Sequence, residues 1–71
     1  MSEKNVKVLE IVCDVTELED LTLDSSLDIE EWDSLAIVSF LSEVDNNFEQ
    51  VLSPTDVNNA KVIADLAALI S

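Results

Sequence analysis

The 71-residue chain carries three Lys or Arg against sixteen Asp or Glu, a formal net charge of −13, and contains no His and no Gly. Such a charge disfavours nucleic acid and anionic membrane surfaces as partners and steers the chain toward basic ones. One Cys excludes an intramolecular disulfide and, with no His, leaves zinc without a ligand set, while the missing Gly removes the sharp turn of a calcium loop.

With 48% hydrophobic residues and only 4% aromatic ones, one small domain over residues 1–71 is expected, cored by Val, Leu and Ile. The opening Met1-Ser2-Glu3-Lys4 is polar and precedes no apolar run long enough for a signal peptide or a membrane span. A cytoplasmic, free-standing monomer without membrane insertion is the expectation. Val6, Leu9, Val12 and Cys13 recur at three- and four-residue spacing, which predicts a first helix over residues 3–15 with Cys13 as a small buried hydrophobe. Residues 16–32 show no sustained period; Leu18, Leu21, Leu23, Leu27 and Ile29 punctuate an acidic, Thr- and Ser-containing stretch, as in a long loop pinned to a bundle by single apolar side chains. Glu17, Glu19 and Asp20 read as a solvated loop face, with Glu19 placed to back-bond to a cap at Thr16.

A second helix is predicted over residues 34–48. Asp33 is its N-cap, and Trp32 and Ile37 occupy the N′ and N4 positions of a hydrophobic staple. Ser53-Pro54-Thr55-Asp56 opens a short third helix, with Ser53 as cap and Pro54 at the first helical position, ending near Asn58-Asn59. Val62, Ile63, Leu66, Leu69 and Ile70 give a final helix its apolar stripe. The fold class expected is all-α: a small four-helix bundle with a long first loop and a short third helix.

Ser34 is the residue that this arrangement singles out. At about 100° per residue, Ile37, Phe40, Leu41, Val44 and Phe48 gather on the core side of the second helix, while Ser39, Ser42, Glu43 and Asn46 lie opposite. Leu35 falls with the polar set, beside Ser34. A first helical turn stabilises attached phosphate through its free N–H groups and the positive end of the macrodipole. The plainer reading of Asp33-Ser34 is a cap followed by a small residue at a helix start. Catalysis by Ser34 lacks a base, since there is no His and Lys4, Lys7 and Lys61 fall outside its segment. The chain is therefore expected not to be an enzyme.

The Asp33-Ser34-Leu35 triplet at the start of the second helix, Phe48 closing that helix, the acidic composition, the short third helix and the apolar end Leu69-Ile70 together resemble the acyl carrier protein family over essentially the whole chain. The resemblance implies a carrier whose serine, here Ser34, receives a 4′-phosphopantetheine arm from coenzyme A, with Asp33 as the flanking acid. A phosphopantetheinyl transferase would install the arm, an acyl- or aminoacyl-loading ligase would charge its thiol as a thioester, and downstream transferases or synthases would take the cargo. In many members the cargo tucks between the helices. Fatty-acid carriers usually continue the triplet with an acid and a strongly acidic helix; this chain has Ala36, Ser39 and Asn46 there, leaving Glu43 as the main acid on that face. Partner contact is expected from Leu35, Ala36, Ser39 and Glu43 of the second helix with Glu30, Glu31 and Asp56 around it. Trp32 before the triplet is closer to D-alanyl carriers and small carriers of specialised pathways, and the absence of the Gly common in peptidyl carriers points the same way. The competing functional class is an unmodified acidic helical adaptor that acts only through protein contacts. No metal is expected.

Overall fold

A computed structural model describes residues 3–70, folded into α1 (Glu3–Thr16), α2 (Ser34–Phe48), α3 (Pro54–Asn59) and α4 (Ile63–Leu69). α1 does not bury the expected stripe of Val6, Leu9, Val12 and Cys13: only Val12 of these is buried, Leu9 and Cys13 are half-buried and Val6 is exposed, because the side packed on the core is the one that carries Val8 and Ile11. In α1, Val8, Ile11 and Val12 stand three and four residues apart and are buried; in α2 the buried row is Ala36, Phe40 and Val44, at every fourth residue. Val57 of α3, Ile63, Leu66 and Ala67 of α4, and Ile70 just beyond close the core. α1 packs on both α2 and α4, and α3 lies against α2 and α4. The Lys4 ammonium, near the start of α1, donates to the Ile70 carbonyl at 3.1 Å, fastening the first helix to the end of the chain's last one.

The ends of α1 and α2 use acids where other chains use glycine. Glu17, immediately after α1, has φ 59°, and Glu49, the C-cap of α2, has φ 54° and donates its N–H to the Asp45 carbonyl at 3.0 Å. Thr16 lies inside the last turn of α1, so the first helix runs one residue longer than the apolar spacing predicts. Its hydroxyl donates to the Val12 carbonyl at 2.7 Å and is buried. It therefore caps nothing, and the expected partnership with Glu19 is corrected. Cys13 is half-buried rather than buried, beside Val6 and Leu9 on an open groove of α1.

Ser53 is the N-cap of α3 by position, but through its backbone: its carbonyl accepts from Val57 N–H at 3.1 Å and its side chain makes no cap bond. The α3–α4 junction is held instead by Asp65, whose Oδ2 accepts from the Lys61 and Val62 amides at 3.0 and 3.2 Å. The long first connection is tied by more than its leucines. Leu27 N–H donates to the Lys61 carbonyl at 2.9 Å, Ile63 N–H to the Ser25 carbonyl at 3.2 Å and Ala64 N–H to the Leu23 carbonyl at 2.9 Å, around an isolated antiparallel bridge between Ser26 and Val62. Leu27 is buried, and Leu21 and Leu23 pack on the core beside it.

Candidate functional site

α2 begins as its sequence dictates. Asp33 has extended backbone angles, its Oδ1 accepts from Ala36 N–H at 2.9 Å, and its carbonyl accepts from Ile37 N–H at 3.0 Å. Those two bonds leave the amides of Ser34 and Leu35, the first two of the helix, without intrahelical acceptors. Ser34 is exposed beside them, so its hydroxyl sits where backbone donors and the helix dipole favour a phosphodiester. Trp32, at the N′ position, is half-buried and packed on the core with Ile37; its ring meets Phe40 edge-to-face with centroids 5.6 Å apart. The short turn before it closes with Trp32 N–H donating to the Ile29 carbonyl at 3.2 Å, which leaves Glu30 and Glu31 exposed on the approach to Ser34.

A recess of about 360 Å³ opens next to Ser34, walled by Ile37 and Val38 of α2 and by Pro54, Thr55 and Asn58 of α3. Two rows of α2 outside the buried one diverge from the site, Glu43 in one of them being half-buried. Ser34 and Val38, one turn apart, face this recess and α3. Ser39 and Glu43 instead line a depression shared with Asp14, Val15 and Glu17 at the end of α1. Leu35, at 77% exposure, stands in the row of Ser39 and Glu43, and Val38 is 63% exposed. Asp56 is exposed on α3 but is not among the residues that line the recess.

The expected partner-contact residues are thus not one patch. Leu35, Ser39 and Glu43 form one row of α2, whereas Asp56 lies on α3 and Glu30 and Glu31 lie in the connection before Asp33. Ala36 is removed from the set: at 4% exposure it belongs to the buried row with Phe40 and Val44 and offers no surface to a partner. Sequence reasoning passed over Val38, an apolar residue one turn from Ser34 and outside the core stripe, and that spacing was a usable signal. It passed over Val51 as well, 87% exposed between α2 and α3.

One buried polar atom in the site lacks a partner: Trp32 Nε1, which finds no acceptor. Trp32 lines a second recess, of about 670 Å³, between the α1–α2 connection and the α3–α4 junction.

No curated protein and no solved structure matches the chain significantly. One family model does match, described as phosphopantetheine attachment site, over residues 6–70. That span takes in all of α2, α3 and α4, both recesses and most of α1. The family is one of carrier domains rather than catalytic ones, and its members hold 4′-phosphopantetheine covalently. By fold and by that match, the chain belongs to the phosphopantetheine attachment-site family of carrier proteins.

Proposed function

We propose that Ser34 is the attachment residue and that residues 1–71 work as a single carrier domain, loaded with acyl or aminoacyl groups and read by other enzymes. The observation that carries this is the placement of Ser34. It is an exposed hydroxyl on the first residue of α2, beside two backbone amides that the Asp33 cap leaves open and at the mouth of the α2–α3 recess. When bound, the arm supplies a thiol that holds cargo as a thioester. The chain's own residues anchor and present it. On the transferase, Ser34 Oγ would bond to the phosphorus of coenzyme A that bears pantetheine as the pyrophosphate P–O bond breaks, with adenosine 3′,5′-bisphosphate leaving and the serine proton passing to solvent or a base of the transferase; Asp33 fixes the start of the helix on which that oxygen rides; Leu35 and Val38 give partners an apolar foothold on either side. Glu30, Glu31, Glu43 and Asp56 supply the negative charge that basic partner surfaces read, with Ser39 between Leu35 and Glu43 on the same row. The partners are the transferase, a loading ligase and the enzymes that receive the cargo, in a cytoplasmic biosynthetic pathway outside bulk fatty-acid synthesis.

Intact mass before and after incubation with coenzyme A, Mg²⁺ and a broad-specificity phosphopantetheinyl transferase tests the assignment. The expected result is a gain of one phosphopantetheinyl group that Ser34→Ala abolishes. A folded protein that gains nothing overturns it and makes the adaptor, acting through Leu35 and Val38 alone, the reading to pursue.

A further inference from the structure

We infer that the outward groove of α1, lined by Val6, Leu9 and Cys13 with Glu10 and Asp14 along one edge, is a docking seam for a basic amphipathic helix of a partner protein. The inference goes beyond attachment at Ser34 and does not depend on it, since the groove shares no lining residue with the recess beside Ser34.

α1 carries two apolar stripes, and the bundle covers one of them. Val8, Ile11 and Val12 are buried in the core, whereas Val6 is 42% exposed and Leu9 and Cys13 are half-buried. At about 100° per residue, Val6 and Cys13 fall within about 20° of each other and about 140–160° around the helix from Val8. Single exposed apolar side chains are ordinary on a protein surface. Three of them at spacings of three and four, turned away from the core, form a seam, the pattern by which one helix receives another. They line an open groove of about 540 Å³. From Val6 to Cys13 the seam rises about 10 Å, the length of two turns of a partner helix.

Charge selects the occupant. Both charged residues that line the groove are acids, Glu10 and Asp14, one turn apart on the same edge. Lys7 answers Glu10 at 3.7 Å but does not line the groove, and Asp14 carries the acidic edge on into the depression that it shares with Glu17 and Glu43. A helix laid in the seam meets apolar side chains along its centre and carboxylates along one flank. Its complement is a row of Leu- or Ile-type side chains with Lys or Arg beside them. A second copy of this chain is a poor occupant, because it brings the same acids and a net charge of −13. A seam of two turns buries less surface than a standard interface, so the contact is weak and quickly released. A helix held there leaves the recess beside Ser34 uncovered.

NMR shift mapping of the full chain tests this with three synthetic helical peptides as probes. The first carries a Leu stripe edged by Lys, the second has Glu in place of Lys, and the third has Ser in place of Leu. Expected with the first is a saturable shift of the amides of residues 5–14, the same before and after modification at Ser34; the other two should leave those amides unmoved. Val6→Asn, at an exposed position, should weaken the first probe at least about threefold. Asp14→Asn should weaken it about twofold at low ionic strength. Asp24→Asn removes an equal charge from the exposed first connection and should leave binding unchanged. No binding of the first probe overturns the inference, as do shifts confined to Leu35, Ser39 and Glu43 or to the recess beside Ser34. Equal binding of the Ser probe, or equal weakening by Asp14→Asn and Asp24→Asn, overturns it in favour of a diffuse attraction between opposite charges. Self-association in sedimentation that Val6→Asn abolishes overturns it in favour of a second copy. A chain that gains no phosphopantetheinyl group overturns the attachment reading alone and leaves these outcomes as they are.

Discussion

Glu49 holds φ 54°, ψ 37° at the end of α2, in a chain that has no glycine to offer there. A β-carbon in the left-handed region crowds the neighbouring carbonyl, at about 1–2 kcal/mol, partly offset by the greater freedom a glycine would have in the unfolded chain. Glu49→Gly should therefore stabilise the fold by up to about 1 kcal/mol, raising the thermal midpoint by several degrees. Glu49 is also an acid at the negative end of a helix, so charge must be separated from geometry. Glu49→Gln removes the charge and keeps the β-carbon, and its expected gain is below about 0.5 kcal/mol. Urea unfolding of the two variants checks this. A gain in Gln equal to that in Gly would assign the effect to charge and remove the backbone argument.

Among the elements, the connection between α1 and α2 behaves as a fifth packed piece. It contributes Leu27 to the core at 5% exposure and exchanges three backbone hydrogen bonds with residues 61–64. Leu27→Ala should cost about 2–4 kcal/mol, the range for deleting a buried leucine side chain, and should speed hydrogen exchange at the Leu27, Ile63 and Ala64 amides together. A cost below about 1 kcal/mol, with unchanged exchange, would mean that the connection rests on the bundle without being part of it. The same element shows where the sequence stops being informative. The bounds of α2, the Asp33 cap and the Pro54 start were legible because each is set by residues within one turn of each other. The expectation of a loop pinned by leucines was right for Leu21, Leu23 and Leu27. The pairing of residues 25–27 with 61–63 left no trace, because backbone groups 36 positions apart carry no periodicity and Ser26 and Val62 are unremarkable side chains. Ala36 was legible but misplaced: its four-residue spacing to Phe40 and Val44 marks it as core, and its place two residues after Ser34 drew it into the contact set. The orphaned Trp32 Nε1 was not legible at all, since it follows from tertiary packing alone.

Over the whole molecule, charge is the dominant unresolved strain. The described residues hold one ion pair, Lys7 to Glu10 at 3.7 Å on the exposed face of α1, against sixteen acids in the chain, half of them in residues 17–33. The protein measures 27 × 26 × 18 Å. At 0.01 M ionic strength the screening length is about 30 Å, so every carboxylate acts on every other across the molecule; at 0.5 M it is about 4 Å and only immediate neighbours interact. Folding gathers these charges, so the folded state gains more from screening than the expanded chain does. A single exposed ion pair loses little when screened. Raising NaCl from 0.01 to 0.5 M should therefore increase the thermal midpoint by roughly 5 °C, the shift that about 1 kcal/mol makes in a domain of this size. Among the described residues no group of three or more carboxylate or thiol side chains converges to hold a metal, so MgCl₂ at matched ionic strength should give nearly the same gain as NaCl. A midpoint that falls with salt would show that ion pairs outweigh repulsion. A much larger gain with Mg²⁺ than with Na⁺ would show that the acids act as a cation site, and not as a diffuse field whose partner is a basic protein surface.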